Sequence, residues 1–257
     1  MTSQFAQLGD LRIRRIGLGT NRLRSTPEDV AFIRGAVDAG VQMIDTAHLY
    51  TGGESEQAIG RALSPMPAGV VVATKGGYGG AGRGRPERLR EEIEQSLKSL
   101  RLERIMLYYL HRVDPETPIE ESLGAIKDFV DRGQIEHVGI SKVDIPLIER
   151  ARKIVPIAAV QNEYNLAERG YDDVVDYCTR EEIVFVPYYP LRGDGSRAVK
   201  EVAKRHRATT AQVMLAWLLA RSPVMLPIPG TLSLAHLKEN LGAAALELTR
   251  AEISALG

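Results

Sequence analysis

Four ionisable side chains carry the chemical interest of this sequence: Asp45 in QMIDTA, Tyr50 shortly after it, Lys75 closing VVVATK, and His111 directly after RIMLYYL. A carboxylate, a phenol, an amine and an imidazole brought to one place are the working groups of general acid–base catalysis. Two other chemistries compete for the same stretch. Lys75 could attack a carbonyl as a Schiff-base nucleophile in a lyase, a role that requires a neutral amine; pairing with Asp45 would keep it charged and argues against this. Gly77, Gly79 and Gly82 spell GxGxxG, the pattern of a dinucleotide-binding turn, with Glu103 standing in for its ribose-binding acid. That turn needs its glycines to open a helix, whereas the helical pattern here begins only at Pro86 and belongs to the third strand–helix unit, so a flexible loop is the simpler reading.

Each residue alone has an ordinary explanation. His111 fits a core or loop histidine, Asp45 a helix-start cap, and Lys75 a partner for that aspartate. Their order and their positions turn them into a site, and those depend on the elements that carry them. Strands are expected at RIGLG, QMIDTA, VVVATK, RIMLYYL, HVGIS, AAVQNEY, IVFVPYY and VMLPIPG, after a short hairpin around QLGDLR. The intervening segments have apolar residues at helical spacing, as in PEDVAFIRGAVDAG, with Pro27 at its start and Gly40 just past its end. Short, β-branched, uninterrupted strands point to a parallel sheet covered on both faces. Eight strand–helix units in 257 residues fit an α/β fold of one closed (β/α)8 TIM barrel, with the N-terminal β-hairpin and a short C-terminal helix, and 1–257 reads as a single domain. An open doubly wound sheet is the alternative. In a barrel the strand C-termini share one mouth. Asp45, Lys75 and His111 then lie at three successive strand ends with Tyr50 beside them, and Gln161 and Tyr188 close the sixth and seventh. His48, His137 and His206 read as loop or surface residues, although His48 is near enough to Tyr50 to line a substrate pocket.

Composition excludes several function classes. Thirty-three basic residues balance thirty-three acidic ones, so no overall field draws the chain to nucleic acid or an anionic membrane. The single cysteine, Cys178, rules out an internal disulfide and a multi-cysteine metal site, and no metal is expected. No apolar run reaches membrane-spanning length, and MTSQFAQLGD lacks a signal-peptide pattern, so a cytoplasmic location is the expectation. The oligomeric state is left open, with a monomer expected.

MIDTAHLYTGGESEQAIGRAL, VVVATKGG, LYYLHRVDPETPIEESLGAI, VGISKV, VQNEYNL, VPYYPL and IPGTLSLAHLKEN together resemble the aldo-keto reductase family, in order and over nearly the whole chain. The resemblance implies a (β/α)8 barrel that binds NADPH (NADP+), with NADH possible, without a Rossmann domain, and reduces an aldehyde or ketone to the alcohol. It makes Tyr50 the proton donor, Lys75 the cation that lowers the cost of its phenolate, Asp45 the partner of Lys75, and His111 the group that orients the carbonyl. It assigns Ser141 and Gln161 to the carboxamide, Tyr188 to stacking on the nicotinamide ring, and Gly230, Thr231, Ser233, His236, Glu239 and Asn240 to the adenosine end. Gly19, Thr20, Asn21, Lys142, Pro190 and Leu191 complete the implied cofactor contacts. The family also includes cofactor-binding potassium-channel β subunits, which gives a non-catalytic redox sensor as another reading.

Departures from the family pattern matter for specificity. Lys142 replaces the usual asparagine of the carboxamide site, and Gly230 and His236 stand where many members place a lysine and an arginine against the 2′-phosphate. The loops after His111 and Tyr188 are short and the sequence ends with the helical TRAEISALG at Gly257, so a rather open mouth is expected.

Overall fold

The computed structural model describes residues 4–193 and 196–257. Strands β1 (Phe5–Leu8) and β2 (Leu11–Arg14) form an antiparallel hairpin, turned at Gly9 with φ of 58°. Seven parallel strands follow in sequence order: β3 (Leu18–Gly19), β4 (Met43–Asp45), β5 (Val71–Gly76), β6 (Ile105–Leu110), β7 (Ile135–Ser141), β8 (Ile157–Gln161) and β9 (Val184–Phe185).

The expected eighth strand, VMLPIPG, is present as a stave rather than a ladder. Its carbonyls at Pro227 and Pro229 accept from the amides of Gly17 and Gly19, 3.0 and 3.3 Å away, and on its other side it exchanges bonds with Phe185 through Val224 and Leu226. Proline has no N–H to return, so Pro227 and Pro229 break the reciprocal pairing while the barrel still closes. Gly19 allows this closure, since a Cβ there would lie 2.8 Å from the Ile228 carbonyl oxygen.

Alternation along each strand sorts side chains into two cores. Met43, Val71, Ala73, Leu107, Tyr109, Ala159, Val184, Val186, Leu226 and Ile228 fill the barrel, and Ala6, Leu8 and Ile13 of the hairpin join that same cluster and plug one end. Ile44, Val72, Tyr108, Val160 and Phe185 face outward against helices. Tyr109 takes so much of the interior that Gly139 has no room for a Cβ, which would meet its ring at 2.4 Å.

The surrounding helices are α1 (Pro27–Asp38), α2 (Glu54–Leu63), α3 (Pro86–Leu100), α4 (Ile119–Asp131), α5 (Ile145–Arg152), α6 (Asp172–Arg180), α7 (Arg197–His206), α8 (Thr210–Arg221), α9 (Leu234–Gly242) and α10 (Arg250–Leu256). Their starts follow local chemistry. Thr26 caps α1 ahead of Pro27, Asp144 caps α5, and Thr209 with Gln212 forms a reciprocal capping box on α8. Arg15 lies buried and donates to the carbonyls of Leu219, Ser222 and Met225, tying the end of α8 and the eighth stave to the strand that opens the barrel. No described helix is long and apolar enough to cross a membrane.

Candidate active site

Period-two alternation aims the ionisable residues inward. Lys75 continues the inward set Val71–Ala73 on β5, Asp45 follows Met43 on β4, His111 follows Leu107 and Tyr109 after β6, and Gln161 follows Ala159 on β8. Tyr50 arrives by another route, at the start of a 3₁₀ turn over 50–53 that leads into α2. Thr51, Gly52 and Gly53 all have positive φ there, and the Thr51 hydroxyl is tethered to the Leu23 carbonyl at 2.6 Å. Glycine at two of those three positions makes the turn affordable.

Lys75 is fully buried, with its ammonium 2.5 Å from Asp45 Oδ1, 2.6 Å from the Thr46 carbonyl and 3.5 Å from the Tyr50 hydroxyl. The other Asp45 oxygen accepts from Gln161 Nε2 at 2.8 Å. Burial opposes the lysine charge, but Asp45 and Tyr50 reverse that effect and hold its pKa above the ordinary value. Burial also raises the Tyr50 hydroxyl, with Lys75 pulling the other way, so the phenol keeps its proton. The His111 ring stands edge-on to Tyr50 at 6.0 Å between centroids. Burial, aided by Lys75 and Arg112, pushes His111 down to about 2, which favours the neutral imidazole.

These groups open into a cleft of about 680 Å³. Its lining includes Asp45, Tyr50 and His111, and ten of the expected cofactor positions: Gly19, Thr20, Asn21, Ser141, Lys142, Gln161, Tyr188, Pro190, Leu191 and Gly230. Thr20 also fixes the end of β4, its amide and hydroxyl both donating to the Asp45 carbonyl at 3.0 and 2.9 Å. The remaining five expected positions do not line this cleft. Thr231 accepts from the Ser233 amide, Ser233 caps α9 by accepting from His236 N, His236 is exposed on the first turn, Glu239 is half-buried, and Asn240 is buried. They continue the chain beyond Gly230 without sharing the cleft surface.

Three histidines separate from the site. His48 does not line the cleft; it turns toward Glu56, with Nδ1 4.0 Å from Oε2, which corrects the expectation of a pocket role. His137 pairs with Asp10 of the hairpin turn and His206 with Glu252. The glycine loop does not have the layout of a dinucleotide-binding turn. Gly82 precedes the start of α3 by several residues, the Gly77 amide donates to Glu92 at 2.7 Å, and Glu103 lies before β6, at the strand end opposite the cleft. The loop instead delivers Tyr78, whose ring lies 4.7 Å from that of His111.

Sequence reasoning missed Arg22, Tyr78, Arg112, Glu163, Tyr189 and Arg192 as lining residues. Arg22 and Arg112 sit one place beyond Asn21 and His111, and Tyr189 one place beyond Tyr188, so adjacency to a strand end was the available signal.

Comparisons with known proteins bear on the fold and the family. The sequence profile of the aldo/keto reductase family matches residues 15–198 and 193–257. An oxidoreductase of Schizosaccharomyces pombe is 36% identical over 95% of this chain and 85% of its own. Pyridoxine 4-dehydrogenase of Escherichia coli is 35% identical over 100% of this chain and 98% of its own. Among solved structures, a thermostable aldo-keto reductase in complex with the inhibitor epalrestat superposes with a TM-score of 0.91 at 32% identity, covering 99% of this chain and 98% of that one. An aldo-keto reductase of Klebsiella pneumoniae in complex with NADPH gives 0.89 at 27% identity, covering 100% and 94%. With the same barrel, the family profile spanning almost all of the sequence and close relatives matched nearly end to end, this chain belongs to the aldo/keto reductase family.

Proposed function

We propose that this protein is an NADPH-dependent reductase of aldehydes or ketones, acting on a small carbonyl compound with Tyr50 as proton donor. The observation that carries the reading is the Asp45–Lys75–Tyr50 chain of polar contacts meeting a neutral His111 in one cleft. A phenol is a weak acid near pH 7, and a buried cation beside it stabilises the phenolate left when the proton goes to the carbonyl oxygen. Asp45 keeps that cation protonated and in place. Neutral His111 orients the carbonyl by donating one hydrogen bond rather than by charge. A bound nicotinamide dinucleotide supplies the hydride, which no side chain can.

The chain's own donors and acceptors suit such a cofactor. Ser141 donates to the Gln161 carbonyl and Gln161 Nε2 to Asp45, which leaves the serine lone pairs and Gln161 Oε1 to accept from a carboxamide NH2. Tyr188, half-buried on the cleft wall, offers a ring face. The NADPH complex of the Klebsiella relative supports NADPH as the cofactor. A Schiff-base role for Lys75 is disfavoured, because its amine is inaccessible and bonded to two oxygens. The expected cytoplasmic, monomeric state belongs to the same proposal.

The deciding experiment follows NADPH and NADH oxidation with a panel containing pyridoxal, methylglyoxal and small aromatic aldehydes, and the reverse reaction with pyridoxine. Turnover of at least one carbonyl with NADPH is expected. Tight NADPH binding without turnover of any of them would favour the redox-sensor reading.

A further inference from the structure

The charges lining the cleft are unevenly matched. Four cations, Arg22, Arg112, Lys142 and Arg192, share it with two carboxylates, Asp45 and Glu163. Asp45 is committed to Lys75, and Glu163 to Arg192 at 2.5 Å. Arg22 donates to the Gly230 carbonyl at 3.4 Å, and Lys142 follows Ser141, so both stand beside the wall assigned above to the cofactor. Arg112 stands elsewhere. It follows His111 on the loop between β6 and α4, in the half of the barrel that carries Tyr50, and it makes no hydrogen bond or ion pair with any described residue.

Its placement is fixed nonetheless. The guanidinium lies 5.0 Å from the centre of the Tyr78 ring, and that ring stands 4.7 Å from the His111 ring. A cation held against an aromatic face keeps its N–H edge free for a ligand. Arg112 is only partly exposed, so a charge there interacts more strongly than at an open surface.

We propose that Arg112 makes this cleft selective for carbonyl compounds that carry a carboxylate, the guanidinium gripping the acid while the carbonyl end lies between Tyr50 and His111. The planar fork matches a carboxylate through two parallel hydrogen bonds, and its negative charge meets a cation on the substrate side that no described acidic residue neutralises. The proposal rests on the reductase reading and adds its substrate class. Tyr78 acts as a positioning residue by holding the guanidinium, and its arrival on the glycine loop gives that loop a part in substrate choice.

The test compares 3- and 4-carboxybenzaldehyde with the corresponding neutral formylbenzamides, using NADPH. The quantity read is the ratio of kcat/KM, acid over amide, in wild type, Arg112→Met and Arg112→Lys. The wild-type ratio is expected to exceed that of Arg112→Met by about tenfold, mainly through KM, with Arg112→Lys between them. Raising the salt concentration should lower the wild-type ratio. A ratio unchanged in Arg112→Met, with NADPH binding intact, overturns the proposal. Benzoate binding to the NADP+-loaded protein, measured by calorimetry, gives a readout free of turnover. Weaker benzoate binding in Arg112→Met supports the site even if no aldehyde is reduced, an outcome that would sink the reductase reading alone. Equal benzoate affinity in the two proteins overturns the site.

Discussion

The Lys75 ammonium lies 2.5 Å from the Asp45 carboxylate and 3.5 Å from the Tyr50 hydroxyl, so it is bonded first to its counter-ion and only reaches toward the phenol. Catalysis under the proposed mechanism needs the second contact to strengthen as the phenol gives up its proton. Tyr50→Phe removes the proton and leaves the lysine pair and the cofactor wall untouched. Its kcat should fall by about a hundredfold to ten-thousandfold while NADPH affinity, read by fluorescence titration, holds. A variant that kept most of its kcat would show that another group donates the proton.

Asp45→Asn tests the other half of that relationship. With the counter-ion gone, only Tyr50 still opposes the effect of burial on Lys75 and its pKa falls, so the ammonium is lost at lower pH than in wild type. The alkaline limb of the kcat profile should move to lower pH. The variant should also lose about 3–5 kcal/mol in denaturant unfolding, because a buried charge is left unpaired, and Asp45→Asn with Lys75→Met should recover part of that loss. A double variant no more stable than the single one would mean that the pair contributes by shape rather than charge.

Much of this arrangement was legible in the chain because strand alternation is strict. Once VVVATK is read as a strand with Val71 and Ala73 inside, Lys75 must also point inside and Thr74 outside, where it donates to Glu56 at 2.6 Å. The same step of two places Asp45, His111 and Gln161. The substrate wall was not legible, since Tyr78 and Arg112 meet only through the path of a glycine-rich loop, which no periodicity encodes. Residues 231–240 show another limit. The resemblance assigned them cofactor contacts, and the local part that Thr231 and Ser233 also play, accepting from amides at the start of α9, was not read from the chain. The eighth strand was read from its apolar run, and the effect of Pro227 and Pro229 on its pairing could have been read with it.

The glycine loop yields a prediction that separates the two sides of the cleft. Gly79 and Gly82 have φ of 132° and 79°, backbone that side chains rarely adopt, so replacing both by alanine should distort the loop and cost about 1 kcal/mol or more at each position. The disturbance reaches Tyr78, so KM for the carbonyl should rise. NADPH affinity should stay within a few-fold of wild type. A collapse of NADPH binding in a folded variant would return the phosphate site to this loop.

Lys142 has φ of 56°, a left-handed conformation that asparagine tolerates better than lysine. Its backbone is held there from both sides: its amide donates to the Gln161 carbonyl at 3.0 Å, and the buried Asn162 side chain clamps the next residue, Val143, through both its amide and its carbonyl. Lys142→Asn should therefore raise stability by about 1 kcal/mol. It should also tighten NADPH binding by adding an amide donor beside Ser141. Stability that rises with no change in cofactor affinity would leave the backbone argument standing and remove residue 142 from the carboxamide site.

His111 gives a pH dependence whose sign is fixed by its surroundings. Burial, with Lys75 and Arg112 nearby, depresses its pKa in the folded protein to about 2, whereas an unfolded chain protonates histidine near 6.5. Between those values the unfolded state binds the extra proton, so stability contributed at this position is lost as pH falls below about 6.5 and returns as pH rises. His111→Gln removes the titrating group while keeping a neutral polar side chain. The stability of the variant relative to wild type should therefore shift in the variant's favour as the pH of the denaturant titration is lowered from 7 toward about 4. The His111 ring resonances of the wild-type protein should also fail to titrate across that range. A difference between the two proteins that is flat with pH, or a ring signal with its midpoint near 6.5, would show that the imidazole is not held neutral and that His111 can meet the carbonyl as a cation instead.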